Sequence, residues 1–532
     1  MLDVLITNGW IIDGQGGPGF RGSVGIQGDR IAYLGTGSEA GPAKETIDVQ
    51  GQVVCPGLID MHSHADFSLF KRSSASLYHQ GVTTAVVGQC GDSPSPLLEG
   101  TRREVISNYN ALAEEDLWRN WDSLKSYLDF LTRRGQSINL VPLVGQGTIR
   151  AGVMGYGSEH PSRHQLEAMR SQVAQAMEQG AFGISTGLIY PPGSFAGTEE
   201  LIELASVVAG YDGFYFSHIR GEGRTLLEAV SEAIRIGRES GARVQISHHK
   251  ACWPRNWPLQ ERALALIDEA RSSGLDVSID AYPYTAASTG LTNNLPEWAH
   301  QGGKPEILNR LADPATRRRM TRDIREEWDG SWDKVMICRS PNERSFEGRF
   351  VADLARDAGQ PGEEWVFDAL LKTDLDISIV LFLLSEDNVA RVLKKPYATI
   401  GSDSYTCAAE DSDVGQPHPR TFGTFPRVLG RYVRELGALG LEEAIHKMTG
   451  LPAERLGLPE RGRIRESFLA DLLVFDPGKI QDKATFAEPL QYPEGIAHVI
   501  CNGQFLIRDG MDLHHHPGRV LTRQPPRNSA HS

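Results

Sequence analysis

Short apolar runs separated by glycine turns open the chain, at 4–6, 10–12, 24–26 and 31–34. β-rich runs at this spacing predict a small antiparallel sheet. The same texture returns at 472–475 and 497–503. Asn8-Gly9 and Asn502-Gly503 both read as hairpin turns, because these residues accept the positive φ that a two-residue turn demands. Two β-rich ends around a long middle predict one small β-sandwich domain assembled from residues 1–55 and 463–532.

Across the middle, apolar runs at 82–87, 138–144, 182–185, 214–217, 244–247, 277–279, 377–382 and 399–400 alternate with other segments. Three of these, 164–179, 225–240 and 259–273, carry apolar residues at helical spacing. Repeated strand–helix alternation over 56–462 predicts an α/β fold, a (β/α)8 TIM-type barrel. A doubly wound sheet is the alternative, but the Gly-rich dinucleotide and Walker patterns are missing from the context they need. Near 290–374 the rhythm breaks into charged, helix-like sequence, read as an insertion over the barrel mouth where a lid could sit. Residues from Leu521 onward read as disordered.

Composition narrows the class. The chain has 532 residues, too many for one small core. Its 54 basic and 68 acidic residues give a net charge of −14, which argues against nucleic acid or an anionic membrane as partner. No apolar stretch reaches transmembrane length, and the first residues lack the basic and apolar regions of a signal peptide, so a cytoplasmic location is expected. The six cysteines, at 55, 90, 252, 338, 407 and 501, have no paired spacing and read as reduced thiols.

The chemistry gathers where apolar runs end. One run leads into His62-Ser63-His64, and alternate residues of a strand share a face, so both imidazoles can grip one ion. His218 follows Phe-Tyr-Phe-Ser and His248 follows Val-Gln-Ile-Ser, the strand-end position where barrel enzymes place their chemistry. Cys90 lies in Gly-Gln-Cys-Gly; a buried small hydrophobe is its plainer reading, a thiolate ligand in a close-approach loop its functional one. Thiolate with imidazole suits zinc. Asp403 in Gly-Ser-Asp-Ser reads either as a helix cap or as a metal-binding carboxylate that takes a proton from the attacking water and passes it to the leaving group. His249 points away from its neighbour and has a structural reading. His514–His516 reads as an exposed tract, and His79, His160, His164, His300 and His446 carry no supporting pattern.

Longer motifs run through nearly the whole chain: Pro-Gly-Leu-Ile-Asp-Met-His-Ser-His, Gly-Val-Thr-Thr-Ala-Val-Val-Gly-Gln-Cys-Gly, Gly-Ile-Ser-Thr-Gly-Leu-Ile-Tyr-Pro-Pro-Gly, Ser-His-Ile-Arg-Gly-Glu-Gly, Ile-Ser-His-His-Lys, Asp-Ala-Tyr-Pro-Tyr, Gly-Ser-Asp and His-Pro-Arg-Thr-Phe-Gly-Thr-Phe-Pro-Arg. With these the chain resembles the amidohydrolase superfamily and, within it, the D-aminoacylase (N-acyl-D-amino-acid deacylase) family. The resemblance implies a (β/α)8 barrel with a small β-sandwich and zinc at the C-terminal mouth. It implies a tight zinc on Cys90, His218 and His248, with His62, His64 and Asp403 around a second, weaker position. Cys90 matches the cysteine that replaces a carbamylated lysine in this family. Asp403 would serve as general base and then acid. Lys250, Tyr282, Ser288 and Arg420 match residues that hold the substrate's carboxylate, a role suited to an Arg fork and an ammonium. Tyr284 competes with Tyr282 for that role, and Tyr190 is a candidate to polarise the scissile carbonyl.

The implied reaction is zinc-dependent hydrolysis of a carbon–nitrogen amide bond, with a small N-acyl-D-amino acid carrying a carboxylate as substrate. A cyclic amide, a dipeptide or another N-acyl compound is the alternative on the same scaffold, and an inactive barrel serving as an interaction scaffold is the remote one. Three departures from the family pattern bear on the substrate. Gln89 stands where Asn is usual, Gly221 stands where an acidic residue is common, and an insertion at 405–416 brings Glu410, Asp411 and Asp413 near the expected pocket.

Overall fold

The computed structural model describes residues 1–36, 39–108, 116–328 and 331–523. Eight parallel strands form its centre: β1 (Leu58–Asp60), β2 (Val82–Val87), β3 (Asn139–Pro142, continued by Val144–Gly145), β4 (Gly183–Gly187), β5 (Phe214–His218), β6 (Arg243–Ile246), β7 (Val277–Ala281) and β8 (Ala398–Ile400). They pair in sequence order. The ring closes where Met61 N–H donates to Ile400 O at 3.0 Å. The strands are buried on both faces, which is why they read as continuous apolar runs rather than alternating ones.

The helices around the barrel follow from local sequence. Ser162 and Gln165 form a capping box at the start of Arg163–Glu178. Leu226–Ser240 turns Leu226, Val230, Ala233 and Gly237 inward and stops at Gly241, whose left-handed conformation suits glycine. These helices, with Leu259–Ser272, match the amphipathic segments of the sequence to within a residue or two.

Both ends of the chain build the small β-sandwich. Strand Val53–Pro56 joins its halves, pairing parallel with Leu2–Ile11 and antiparallel with Leu472–Phe475. Asn502-Gly503 is the hairpin turn between Ile496–Cys501 and Gln504–Arg508, with φ of 46° and 79°. Asn8-Gly9 is not a turn. Leu2–Ile11 is one strand, and its register against Phe20–Gln27 shifts between Ile6 and Gly9, so Asn8 at φ 59° makes a bulge. Both sites need positive φ, and only long-range pairing separates bulge from turn.

Between β7 and β8 lies an inserted unit with a core of its own. Its strands Ala287–Gly290, Ser378–Leu381 and Val335–Arg339 form an antiparallel sheet with Ser378–Leu381 in the middle. Helices Gly303–Ala312, Pro314–Trp328, Val351–Asp357 and Gly362–Lys372 share its core through Ile307, Leu311, Met320, Val351, Val366 and Leu370. The unit therefore extends past 290–374 at both ends. The apolar run at 377–382, expected in the barrel, belongs to this sheet instead, because a central antiparallel strand is as apolar as a barrel strand.

The end of the described chain is also more ordered than its sequence suggests. Leu521 N–H donates to Leu140 O at 2.8 Å and Arg523 N–H to Gly180 O at 3.0 Å, which lays 521–523 along the barrel; 524–532 lie outside the described residues. Among the described residues no helix is long and apolar enough to cross a membrane.

Candidate active site

At the carboxyl ends of the barrel strands one sulfur lies among three imidazoles. Cys90 Sγ is 3.3 Å from His62 Nε2, 3.6 Å from His218 Nδ1 and 3.4 Å from His248 Nε2. Asp403 Oδ1 is 3.5 Å from His62 Nε2 and 3.2 Å from His64 Nε2. Two donor groups result, Cys90 with His218 and His248, and Cys90 with His62, His64 and Asp403, and the sulfur is common to both. β1, β2, β5, β6 and β8 supply these six residues, so the barrel ring itself holds the cluster.

Strained backbone aims the donors. Cys90, His248 and Asp403 have φ of 54°, 32° and 51°, a conformation that costs a residue with a Cβ about 1–3 kcal/mol and persists only where the surroundings impose it. Gly91 N–H donates to Ser185 Oγ at 3.0 Å, and that hydroxyl donates to Gly88 O at 2.5 Å, clamping the Cys90 turn onto β4. A Cβ at Gly187 would lie 2.0 Å from Cys90 O, so the turn requires a bare backbone there. Asp403 N–H donates to His62 O at 2.7 Å, fixing the β8 turn against the β1 turn.

Burial dominates the electrostatics. It pushes the Cys90 thiol well above its ordinary range, with Asp403 adding to the effect, and it drives His218 and His248 well below theirs, leaving neutral imidazoles able to ligate. Burial alone would raise Asp403, but Arg420 above all, with His248, His64 and His62, holds its carboxyl well below the usual carboxylate range. A buried thiol beside neutral imidazoles and an ionised carboxylate matches zinc's preferences, and a bound cation would itself convert the thiol to thiolate. The other nitrogen of His218, Nε2, has no hydrogen-bond partner among the described residues and lies 3.9 Å from Glu222 Oε1.

The sequence pattern of the amidohydrolase family matches residues 45–507. The D-aminoacylase of Alcaligenes xylosoxydans xylosoxydans is 37% identical over 523 residues, covering 98% of each chain. The N-acyl-D-aspartate deacylase of the same organism is 34% identical over 98% of this chain and 95% of its own. The crystal structure of N-acyl-D-glutamate deacylase from Bordetella bronchiseptica, with zinc and a phosphonate mimic of the tetrahedral intermediate, superposes with a TM-score of 0.84 at 34% identity, covering 98% of this chain and all of that one. The chain belongs to the amidohydrolase family. It is a metal-dependent amidohydrolase of the D-aminoacylase type.

Around its donors this amidohydrolase carries carboxylates to which the sequence motifs gave no role. Asp280 Oδ1 accepts the His248 N–H at 2.8 Å and lies 3.3 Å from His62 Nδ1, and its other oxygen accepts from Gln245 Nε2 at 2.8 Å. A carboxylate behind a ligating histidine fixes the ring and raises its basicity. Asp60 accepts from the His62 and Ser402 N–H groups and from Ser402 Oγ, tying β1 to β8; its burial raises its pKa to about 7. Glu222 is 2.5 Å from Lys250 Nζ and 3.1 Å from His248 Nδ1. At the neighbouring Gly221 a Cβ would lie 2.0 Å from Thr225 Oγ1. The fact that Glu222 and Asp280 each fall inside a recognised motif, beside a ligand strand, was the available signal. Gln89 donates to Met61 O at 3.0 Å and so braces the strand end that carries His62.

The expected substrate-side residues surround the same cluster. The Tyr282 ring lies 4.7 Å from the Arg420 guanidinium carbon and 5.6 Å from Lys250 Nζ, and among the described residues its buried hydroxyl has no hydrogen-bond partner. The Tyr284 hydroxyl is already engaged, with Pro419 O and Asp482 Oδ2, so Tyr282 is the one free to meet a ligand. Arg420 pairs with Asp403 at 2.7 Å and reaches Ser288 O at 3.4 Å, so Ser288 touches this group through its carbonyl. His418 explains its motif: it receives the Arg420 N–H at Nδ1 and contacts Ala286 O through Nε2, joining Arg420 to the inserted unit. Tyr190 lies edge-on to His218, ring centroids 4.9 Å apart, with its hydroxyl 3.3 Å from Thr289 Oγ1. His514 is exposed, as its sequence suggests.

The acids of the 405–416 insertion do not face this pocket. Asp411 and Asp413 pair with Arg72, and Glu410 accepts from the Tyr492 hydroxyl.

Proposed function

We propose that the protein hydrolyses the amide bond of N-acyl-D-amino acids, releasing a carboxylate and a free D-amino acid. The observation that carries this reading is the pair of cationic side chains, Arg420 and Lys250, at 4.7 and 5.6 Å from the Tyr282 ring, beside an ionised Asp403 and a buried Cys-His donor set. A carboxylate-bearing amide fits that arrangement end to end. In this reading Cys90, His218 and His248 hold the tighter zinc, and His62, His64 and Asp403 surround a weaker second position. Zinc bound there supplies Lewis acidity and brings the pKa of water down towards ~7.

The remaining steps belong to the chain. Asp403, held ionised by its cationic and imidazole neighbours, takes the proton of the attacking water. Oxygen bonds to the carbonyl carbon, the carbon–nitrogen bond breaks, and Asp403 returns the proton to the departing nitrogen. Tyr190, which burial keeps protonated, donates towards the carbonyl oxygen. Lys250 and Arg420, with Tyr282, hold the α-carboxylate and orient the stereocentre, and Ser288 braces Arg420 through its carbonyl. Glu222 positions Lys250, and Asp280 positions His62 and His248.

Two of the relatives named above are, by their names, deacylases of N-acyl-D-aspartate and N-acyl-D-glutamate and the third is a D-aminoacylase, and their similar identities to this chain support the class without choosing among its members. The test is amine release by the zinc-loaded protein from matched N-acetyl-D- and N-acetyl-L-amino acids across apolar and acidic side chains. D-selective turnover is expected. Equal or preferential cleavage of the L series would remove the stereochemical reading, and no turnover on either would move the search to cyclic amides and dipeptides.

A further inference from the structure

The 405–416 insertion sends its acids outward, yet its first residue stays at the site. Tyr405 follows Asp403 by two positions, and its ring centroid lies 5.6 Å from that of His64 at an interplanar angle of 35°. It is 59% exposed, while Ser404, Thr406 and Cys407 on either side are 5%, 1% and 4% exposed. The backbone carrying this exposed ring is pinned. Ser404 O accepts the His64 N–H at 2.9 Å, the Thr406 N–H donates to Ser68 Oγ at 3.1 Å, and the Cys407 N–H donates to Ser76 Oγ at 3.3 Å. Ser404 Oγ also meets Thr421 Oγ1 at 2.6 Å, and the far end of the insertion is held by the Arg72 ion pairs and by Gln416 N–H donating to Cys338 O at 2.6 Å.

An aromatic ring left in water on so rigid a base, beside the proposed general base, is a preformed contact surface, since little loop entropy remains to be lost when something packs on it. The ring offers a flat apolar face 5.6 Å from the His64 ring, and its exposure leaves that face open to an apolar substituent. We infer that Tyr405 is a specificity-determining residue, packing against an apolar substituent of the substrate, either the acyl chain or the amino-acid side chain. The inference rests on the deacylase reading and extends it to substrate size.

Two substrate series separate the sources of that apolar group. One varies the acyl chain from formyl to hexanoyl on D-alanine; the other varies the side chain from alanine to leucine and phenylalanine under a fixed acetyl. In Tyr405→Ala the loss in kcat/KM grows with substituent size along one series, to about tenfold at its largest member, and enters through KM. Tyr405→Phe keeps the wild-type size dependence. Zinc content and thermal midpoint are measured alongside, and Tyr405→Ser serves as a second truncation. A loss uniform across both series, or none in either, overturns the inference while the deacylase reading stands. Failure of the wild-type protein to cleave any member removes both.

Discussion

Cys90 is where backbone and chemistry meet. Its sulfur is the one donor common to both ligand groups, and its left-handed φ places it there. The Gly-Gln-Cys-Gly run made that conformation readable in advance, whereas the strain at His248 and Asp403 was not, because neither is flanked by glycine on both sides. The six donors could be picked out because each ends an apolar run; Asp280 and Glu222 could not be ranked, since they act on the ligands rather than on the ion. Two outcomes follow at this scale. Asp403→Asn should lower kcat by about 10²–10⁴-fold while the protein still copurifies with zinc on Cys90, His218 and His248, measured by steady-state kinetics beside metal analysis. Asp280→Asn should weaken zinc about 10–100-fold, read by competition with a chelator; unchanged affinity would mean that its contact with His62 is incidental.

Among the elements, those legible in the sequence are the ones fixed by local pattern, and those misread depend on distant partners. Helices capped by Ser162 and Gly241 fall where the periodicity puts them. The bulge at Asn8 and the central strand Ser378–Leu381 share their local sequence character with a turn and a barrel strand, and only pairing decides. One of the ties between the small domain and the barrel is a carboxylate at its last strand. Asp512 accepts from the Tyr78 hydroxyl at 2.6 Å, from His79 Nε2 at 3.1 Å and from the His514 N–H at 2.8 Å. Burial opposes its ionised form, but these donors prevail and lower its pKa. A depressed carboxylate contributes stability in full above its unfolded value near 4 and loses it as pH falls through the folded value. Asp512→Ala should therefore cost about 1–3 kcal/mol at neutral pH and flatten the acid limb of the stability profile below pH ~4. Denaturant melts from pH 3 to 7 check both, and parallel profiles for variant and wild type would contradict them.

At the scale of the whole molecule, the barrel gathers six donors from five strand ends, and the inserted unit brings Ser288 and Thr289 to the same mouth. The alternation of strands and helices was enough for the barrel, and the two β-rich ends for the sandwich. The reach of the inserted unit was hidden because its strands look like barrel strands. Since zinc would bind the folded cluster and not a dispersed chain, saturating zinc at a hundredfold over its dissociation constant should stabilise the apoprotein by about 2.7 kcal/mol, seen as a rise in thermal midpoint that Cys90→Ala abolishes. The central claim joins this metal centre to one reaction. Its most direct test is to titrate the apoprotein with zinc while following amine release from a matched pair of N-acetyl-D- and N-acetyl-L-leucine. Turnover of the D substrate rising with the first equivalent of zinc, with the L substrate left behind, is the predicted result. Turnover that ignores zinc, or that favours the L substrate, would contradict it.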